Sequence, residues 1–220
     1  MERVVATDLE GTLTAGSTWR GVGRYLSEHG HRGRYRRFFW LRLPQVFLAR
    51  GGIIDLQPFR ERWMLDLTGL LRGMTREQIE SMCDWVFENE LWPGRREDVL
   101  DELQAARGDG ARIVVASGTY TPIAARFAAR LGAEAIGTDL AYDTNGRATG
   151  GFAGAMGTGD EKVARLMAVV AGETIDTAYG DTAADIPMLA LATTAVAVYP
   201  DAALERAARD RGWRILGATE

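Results

Sequence analysis

Two carboxylic acids one residue apart, Asp8 and Glu10, follow the apolar run Val4-Val5-Ala6 and precede a glycine. This order is typical of a buried strand that opens into a tight loop, which in open α/β sheets is where ligands bind. Alternation along the loop sends both side chains to one side, so one carboxylate could attack a substrate or hold a metal while the other transfers protons. An acidic turn that caps a helix at Thr12 or Thr14 is the alternative interpretation.

Three further groups of polar residues stand where predicted strands end or predicted helices begin. Ser117-Gly118-Thr119 follows the apolar run Val114-Val115-Ala116, and Gly180-Asp181-Thr182-Ala183-Ala184-Asp185 forms a second acidic loop. Lys162, near a predicted helix start, is the only lysine in a chain that otherwise uses arginine. A lysine kept against that bias predicts a site that needs a compact ammonium group, with chance as the alternative.

The periodicity of the chain changes near Trp92-Pro93-Gly94. Residues from about 14 to 91 show helical periodicity, with a capping box from Thr75 to Gln78. Beyond them helices alternate with short apolar strands, which predicts right-handed βαβ units and a parallel sheet covered on both faces. Residues 139–152 predict instead a β-hairpin with a type I′ turn at Asn145-Gly146.

Composition is that of an ordinary globular protein. The 220 residues are 46% apolar and 25% charged, and the net charge of −4 gives no case for a nucleic-acid partner. The single cysteine, Cys83, lies in an apolar segment and is predicted to be buried. The sequence shows no signal-peptide pattern and no apolar stretch long enough to cross a bilayer, so we expect a cytoplasmic protein.

The four polar motifs together resemble the signature of the haloacid dehalogenase (HAD) superfamily, in particular the branch that contains phosphoserine phosphatase. The resemblance implies an α/β fold, a Rossmann-like doubly wound parallel sheet with an inserted all-helical cap and a small β-hairpin. The catalytic core would comprise residues 1–13 and 92–220, and the cap residues 14–91. Residues 13–17 and 91–94 would be the two hinge strands.

The resemblance also implies roles for the site residues. Asp8 would be the nucleophile that forms an aspartyl-phosphate, and Glu10, an aspartate in most relatives, would be the general acid and base. Asp8, the backbone carbonyl of Glu10 and Asp181 would bind Mg²⁺, and Asp185 would hold Lys162 or a metal-bound water. An N-cap box from Thr182 to Asp185 is the alternative for the last acid, and both can coexist. The phosphate would be bound by Thr12, Ser117, Gly118 and Lys162.

Substrate choice would belong to the cap, where the resemblance is weaker. Ser17 stands where phosphoserine enzymes have a glutamate that reads the substrate amine, which argues against phosphoserine as the preferred substrate. Arg60 and Arg62 both lie where the family keeps an arginine for a substrate carboxylate. Trp19 and Phe59 are predicted either to form a lid or to pack in the core.

These features predict a magnesium-dependent phosphomonoesterase acting on a small organic phosphate. A phosphotransferase that uses the same aspartyl-phosphate is one alternative. A non-enzymatic relative that binds phosphate or an anionic membrane is another, because residues 31–50 combine six arginines with interleaved aromatic residues. The same segment is also consistent with a solvated basic helix face.

Overall fold

A six-stranded parallel sheet forms the centre of the protein. The computed structural model describes residues 3–50 and 56–217. All five strand pairings are parallel. In spatial order the strands, numbered along the chain, are β3 (Glu134–Thr138), β2 (Arg112–Tyr120), β1 (Val4–Thr7), β6 (Ile175–Gly180), β7 (Thr194–Val198) and β8 (Arg214–Leu216).

Helices cover both faces of this sheet. Val5 and Val115 pack in one apolar cluster, whereas their neighbours Val4 and Val114 pack in another on the opposite face. Such alternation is what a sheet buried on both sides requires, so the prediction of a doubly wound core is confirmed. The core helices are α5 (Glu97–Gly108), α6 (Thr121–Leu131), α7 (Gly159–Val170), α8 (Ile186–Leu189) and α9 (Ala202–Arg211).

A helical insertion separates β1 from α5. Its helices are α1 (Thr18–Glu28), α2 (Arg32–Arg50), α3 (Leu56–Thr68) and α4 (Arg76–Val86). The capping box predicted from Thr75 to Gln78 is present at the start of α4. Cys83 is buried in this helix, and burial raises the pKa of its thiol to about 12, so the cysteine is an inert core residue. We propose residues 14–91 as the cap boundaries.

The second predicted hinge strand is wrong. Residues Phe87–Leu91 form a π-helical turn and Trp92–Gly94 a 3₁₀ turn, because the chain continues from α4 in helical conformations and Pro93 suits the first position of the tighter turn. The first hinge has isolated bridges from Thr14 to Glu10 and to Arg95. The N–H groups of Ala15 and Arg96 donate to the carbonyls of Gly94 and Leu13, at 2.8 and 2.9 Å, so the segments are joined by hydrogen bonds although neither forms a regular strand.

The predicted hairpin is present, with a different turn. β4 (Leu140–Tyr142) pairs antiparallel with β5 (Ala148–Phe152), but at the turn Gly146 has φ +71° while Asn145 has no positive φ. A type I′ turn needs positive φ at both positions. The Asp143 carboxylate accepts hydrogen bonds from the N–H groups of Asn145 and Arg147, each at 2.9 Å, and so favours a longer loop with one left-handed glycine.

The hairpin and α6 fasten one side of the cap to the core. The N–H of Gly73 donates to the carbonyl of Ala148, and the N–H of Ala148 donates to the carbonyl of Met74, each at 2.8 Å. On α6, Arg126 pairs with Asp84 at 2.6 Å and with Glu80 at 2.8 Å, both on α4. Among the helices that the structure describes, none has the length and apolar composition to span a membrane.

Candidate active site

The polar motifs converge at the carboxyl ends of three adjacent strands. Asp8 follows β1, Asp181 follows β6, and Ser117 lies in β2 where its pairing with β3 becomes irregular. The strand order reverses its direction of growth between β1 and β6, which makes this edge the topological switch point of the sheet. Loops that are distant in sequence therefore place their side chains around one crevice.

Lys162 joins two of the three carboxylates in this crevice. Its Nζ donates to Oδ1 of Asp8 at 2.6 Å and to Oδ1 of Asp185 at 2.7 Å. Asp8, Asp181 and Asp185 each offer an oxygen within 4.8 Å of the others. The lysine side chain is only 5% exposed. Three acids and one base in so small a volume leave an excess of negative charge.

The pKa values of the acids reflect this crowding. Burial raises the pKa of Asp8 to about 7, with Asp185 adding to the rise and Lys162 opposing it. Burial also raises the pKa of Asp181 to about 8, assisted by the charges of Asp8 and Asp185. For Lys162 burial favours the neutral form, but Asp185 and Asp8 outweigh it and raise the pKa. The ammonium group therefore stays charged while the acids compete for too little positive charge.

This donor set fits a hard divalent cation. Carboxylate oxygens are the ligands that Mg²⁺ prefers, and a divalent ion would balance the excess negative charge. Gly11 has φ +89°, and a Cβ built at this position would collide with the Asp181 carboxylate. A glycine is thus needed for the first acidic loop to approach the second.

Asp185 serves the loop and the lysine together. Its Oδ2 accepts from the N–H of Thr182 at 3.1 Å and from the N–H of Asp181 at 3.3 Å, closing the predicted capping box, while Oδ1 accepts from Lys162. Because both oxygens are occupied, Asp185 fixes the orientation of its neighbours. The capping and lysine-holding interpretations coexist.

The Thr12 side chain lies beneath the crevice. It is fully buried, and its hydroxyl is 3.4 Å from Oδ1 of Asp181. Thr12 is absent from the described residues that line the cavity, and its hydroxyl is placed to orient Asp181. Its part in phosphate binding stays a prediction.

Glu10 reaches out of the core towards the cap. Its Oε2 accepts from the backbone N–H of Thr18, the first residue of α1, at 3.0 Å. The Thr18 hydroxyl is in turn 2.5 Å from that of Thr119 on β2. Burial raises the pKa of Glu10, with hydrogen bonds from Thr18 and Thr119 opposing the rise. A raised pKa suits an acid that must arrive protonated at neutral pH.

Ser117, Gly118 and Lys162 all line one cavity of about 730 Å³ that the cap covers. Ser117 is 3% exposed, at the inner end beside the acids. A Cβ at Gly118 would meet Thr158, the residue before α7, so the close approach of the two loops depends on this glycine. The start of α7 and its lysine thus face the same space as Asp8, where an anion would be favoured.

The cap supplies the opposite side of the cavity. Ser17, Trp19, Phe59 and Arg60 line it, which favours the lid interpretation for both aromatic residues. The structure separates the two arginines. Both are exposed, but Arg60 lines the cavity, whereas Arg62 is absent from its lining and pairs with Asp66 at 3.2 Å, so the structure does not support Arg62 as a substrate residue. Residues two apart on a helix point to different faces.

A family model described as haloacid dehalogenase-like hydrolase matches residues 5–190, most of the chain. The chain belongs to this family. The phosphoserine phosphatase SerB1 of Mycobacterium tuberculosis is 32% identical over 216 residues, which cover 94% of this chain and 68% of that protein. A histidinol-phosphatase of Neisseria meningitidis serogroup C is 33% identical over 177 residues, covering 76% of this chain and 77% of that protein. This haloacid dehalogenase-like hydrolase is an enzyme of the phosphatase type.

Solved structures share its fold. A Bordetella pertussis protein of unknown function superposes with a TM-score of 0.81 at 21% identity, covering 99% of each chain. A substrate-bound phosphoserine phosphatase superposes with a TM-score of 0.68 at 18% identity, covering 98% of this chain and 93% of that one. The HAD fold is therefore confirmed, and the non-enzymatic alternative is disfavoured by the family.

Sequence reasoning missed several cavity residues of this HAD enzyme. Phe39 on α2 and Trp63 on α3 both line the cavity, as does Glu61, which accepts from the Thr158 hydroxyl at 2.7 Å. The four-residue spacing from Phe59 to Trp63 signals one helix face. The arginines of residues 32–37 are exposed, as expected of a solvated basic face, and membrane association stays a prediction.

Proposed function

We propose that the protein is a magnesium-dependent phosphomonoesterase that hydrolyses a small organic phosphate through an aspartyl-phosphate at Asp8. The observation that supports this most is the pairing of Asp8 with Lys162 beside Asp181, in a cavity that residues of the cap also line. A nucleophilic carboxylate, a fixed positive charge and hard oxygen ligands are what phosphoryl transfer needs. A cytoplasmic location remains our expectation.

In the first step, an Asp8 carboxylate oxygen attacks phosphorus while Glu10 gives its proton to the departing alcohol oxygen. In the second, Glu10 takes a proton from the water that attacks phosphorus, releasing phosphate and restoring Asp8. Lys162 and the N–H of Gly118 neutralise charge on the phosphoryl oxygens. Asp8, Asp181 and the backbone carbonyl of Glu10 would hold Mg²⁺, which when bound supplies Lewis-acid charge stabilisation and brings phosphate and carboxylate together.

The pKa values predict how magnesium binding depends on pH. The pKa of Asp8 is raised from 3.8 to about 7 and that of Asp181 from 3.8 to about 8. The folded, metal-free protein holds these two protons more tightly than the unfolded chain does. The stability gained in this way is fully present below pH 3.8 and is lost as pH rises to about 8. Since magnesium must displace these protons, we expect the rise in Tm caused by saturating Mg²⁺ to be small at about pH 6 and to grow by about pH 8.5. An equal rise at both pH values would contradict the assignment, and Asp181→Asn should remove the rise.

Glu10→Gln tests the proton-transfer role. Glutamine keeps an oxygen to accept from the Thr18 N–H, so the cap contact is preserved. For an alkyl phosphate, kcat/KM should fall about 10²- to 10⁴-fold because the alkoxide leaves without a proton. For p-nitrophenyl phosphate, whose phenolate leaves unaided, it should fall less than about tenfold. Equal losses for both substrates would show that Glu10 is not the acid.

Phosphate release from a panel of phosphomonoesters, with magnesium and with chelator, tests the proposed function. Release that requires magnesium is the expected result. Release that chelator leaves unchanged would refute the metal requirement. If little inorganic phosphate is released, and phosphorylated acceptor forms once an acceptor alcohol is added, the enzyme is the phosphotransferase alternative.

A further inference from the structure

The cap side of the cavity is aromatic. Trp19, Phe39, Phe59 and Trp63, here called the aromatic wall, come from three different helices and all line the cavity. Trp63 is at the centre, with ring centroids 5.9 Å from Trp19, 6.5 Å from Phe39 and 5.8 Å from Phe59. Edge-to-face and tilted contacts of this kind hold the rings as one packed apolar surface.

Three charged residues close in sequence to the aromatic wall also line the cavity, namely Arg20, Arg60 and Glu61, and Arg20 pairs with Glu90 at 2.7 Å. Trp63 is 9% exposed, and its Nε1 has no hydrogen-bond partner among the described residues. The Trp63 ring contacts those of Trp19, Phe38, Phe39 and Phe59, so it packs in apolar surroundings. Glu61, an acid on the same helix that lines the cavity, accepts from the Thr158 hydroxyl at 2.7 Å.

The cavity is also larger than a phosphorylated amino acid requires. Its volume of about 730 Å³ lies in the range of about 300–1,000 Å³ that accommodates drug-sized ligands. The phosphoryl group would occupy only the inner end beside Lys162. Arg60, which lines the cavity, could pair with the carboxylate of an amino-acid phosphate, but its amine would lie against the aromatic wall, where loss of hydration is unfavourable.

We infer that the preferred substrates are phosphomonoesters whose alcohol has an apolar body, aromatic or several methylenes long, that packs against the aromatic wall. This inference rests on the proposed function, since it assigns the leaving group of that reaction. Aromatic surfaces also bind quaternary ammonium groups. The arginines that line the cavity, Arg20 and Arg60, and the engaged state of Glu61 favour a neutral body.

The test is kcat/KM for ethyl, butyl and hexyl phosphate, with phosphoserine in parallel, at fixed magnesium and below micelle-forming concentrations. We expect a rise of about two- to fourfold per methylene, fourfold being equivalent to about 0.8 kcal/mol. The inference would be overturned if kcat/KM stayed level or fell with chain length, or if kcat/KM for phosphoserine exceeded that for hexyl phosphate. So would a preference for phosphocholine over its neutral isostere, 3,3-dimethylbutyl phosphate. If no ester releases phosphate, p-nitrophenyl phosphate included, both proposals fail; activity without chain-length dependence leaves the phosphatase standing.

Two adjacent residues of α2 provide a matched pair. Phe39 lines the cavity, whereas Trp40 is 64% exposed outside it. Phe39→Ala should lower the ratio of kcat/KM for hexyl over ethyl phosphate about tenfold, and Trp40→Ala should keep the wild-type ratio. Equal ratios in both variants would count against the aromatic wall. If Phe39→Ala does not fold, Phe59→Ala serves the same purpose, and the series on the wild-type enzyme decides independently.

Discussion

Asp8→Asn is expected to lower phosphate release at least about 10³-fold while leaving the fold intact, because the attacking oxygen is lost and nothing else in the crevice replaces it. Asparagine keeps an oxygen that can accept from Lys162, now 2.6 Å from Oδ1 of Asp8. It also removes one charge from a crowded group of three acids. The variant should therefore be at least as stable as the wild type in urea denaturation at about pH 8 without metal.

Asn89→Asp serves as a control, since Asn89 is an exposed residue of the cap outside the cavity and its exchange should leave turnover unchanged. An Asp8→Asn protein that retains a substantial fraction of wild-type turnover would show that the phosphoryl group goes elsewhere.

Replacing Lys162 should have the largest effect on stability. Lys162→Met leaves Asp8 and Asp185 buried without their partner, and breaking a buried pair in this way costs about 3–5 kcal/mol. The metal-free variant should be measured by urea denaturation at about pH 8, where Asp8 of the wild type, with its pKa raised to about 7, is largely ionised. At about pH 5, where protonation of Asp8 relieves its unpaired charge, the loss of stability should be smaller.

Lys162→Arg separates charge from shape. Arginine preserves the positive charge but needs more room than a site where Nζ lies 2.6 and 2.7 Å from two carboxylate oxygens. We expect a smaller loss of stability than for methionine, and a loss of kcat of at least about 10²-fold because the charge is displaced from the phosphoryl oxygens. Wild-type turnover in Lys162→Arg would mean that the single lysine is a compositional accident.

Local patterns predicted the inner part of the site. The change from apolar strand to acid and glycine located the Asp8 loop, and the four-residue capping boxes marked Thr75 and Thr182. These signals are reliable because each depends on contacts within a few residues. The approximate order of strands and helices was also predictable, because hydrophobic periodicity depends on residues close in sequence.

Contacts between distant segments were not predictable. The orientation of Arg60 and Arg62 depends on how α3 docks on the core, and the Glu10 hydrogen bond to Thr18 depends on where α1 begins. β2 extends beyond Ala116 to Tyr120, because the chain pairs with β3 again at Tyr120 and Thr138 after an irregular stretch that includes Gly118. The turn at Gly146 was misjudged because the Asp143 carboxylate competes for the backbone.

The most direct test of the central claim is to mix the enzyme with magnesium and a ³²P-labelled phosphomonoester that it hydrolyses, then stop the reaction in acid within milliseconds. We predict label on the protein that hydroxylamine removes, as it does from an acyl phosphate, and that maps to Asp8. The Asp8→Asn protein should carry none. Rapid phosphate release with no labelled protein at any time, or label on another residue, would contradict an aspartyl-phosphate at Asp8.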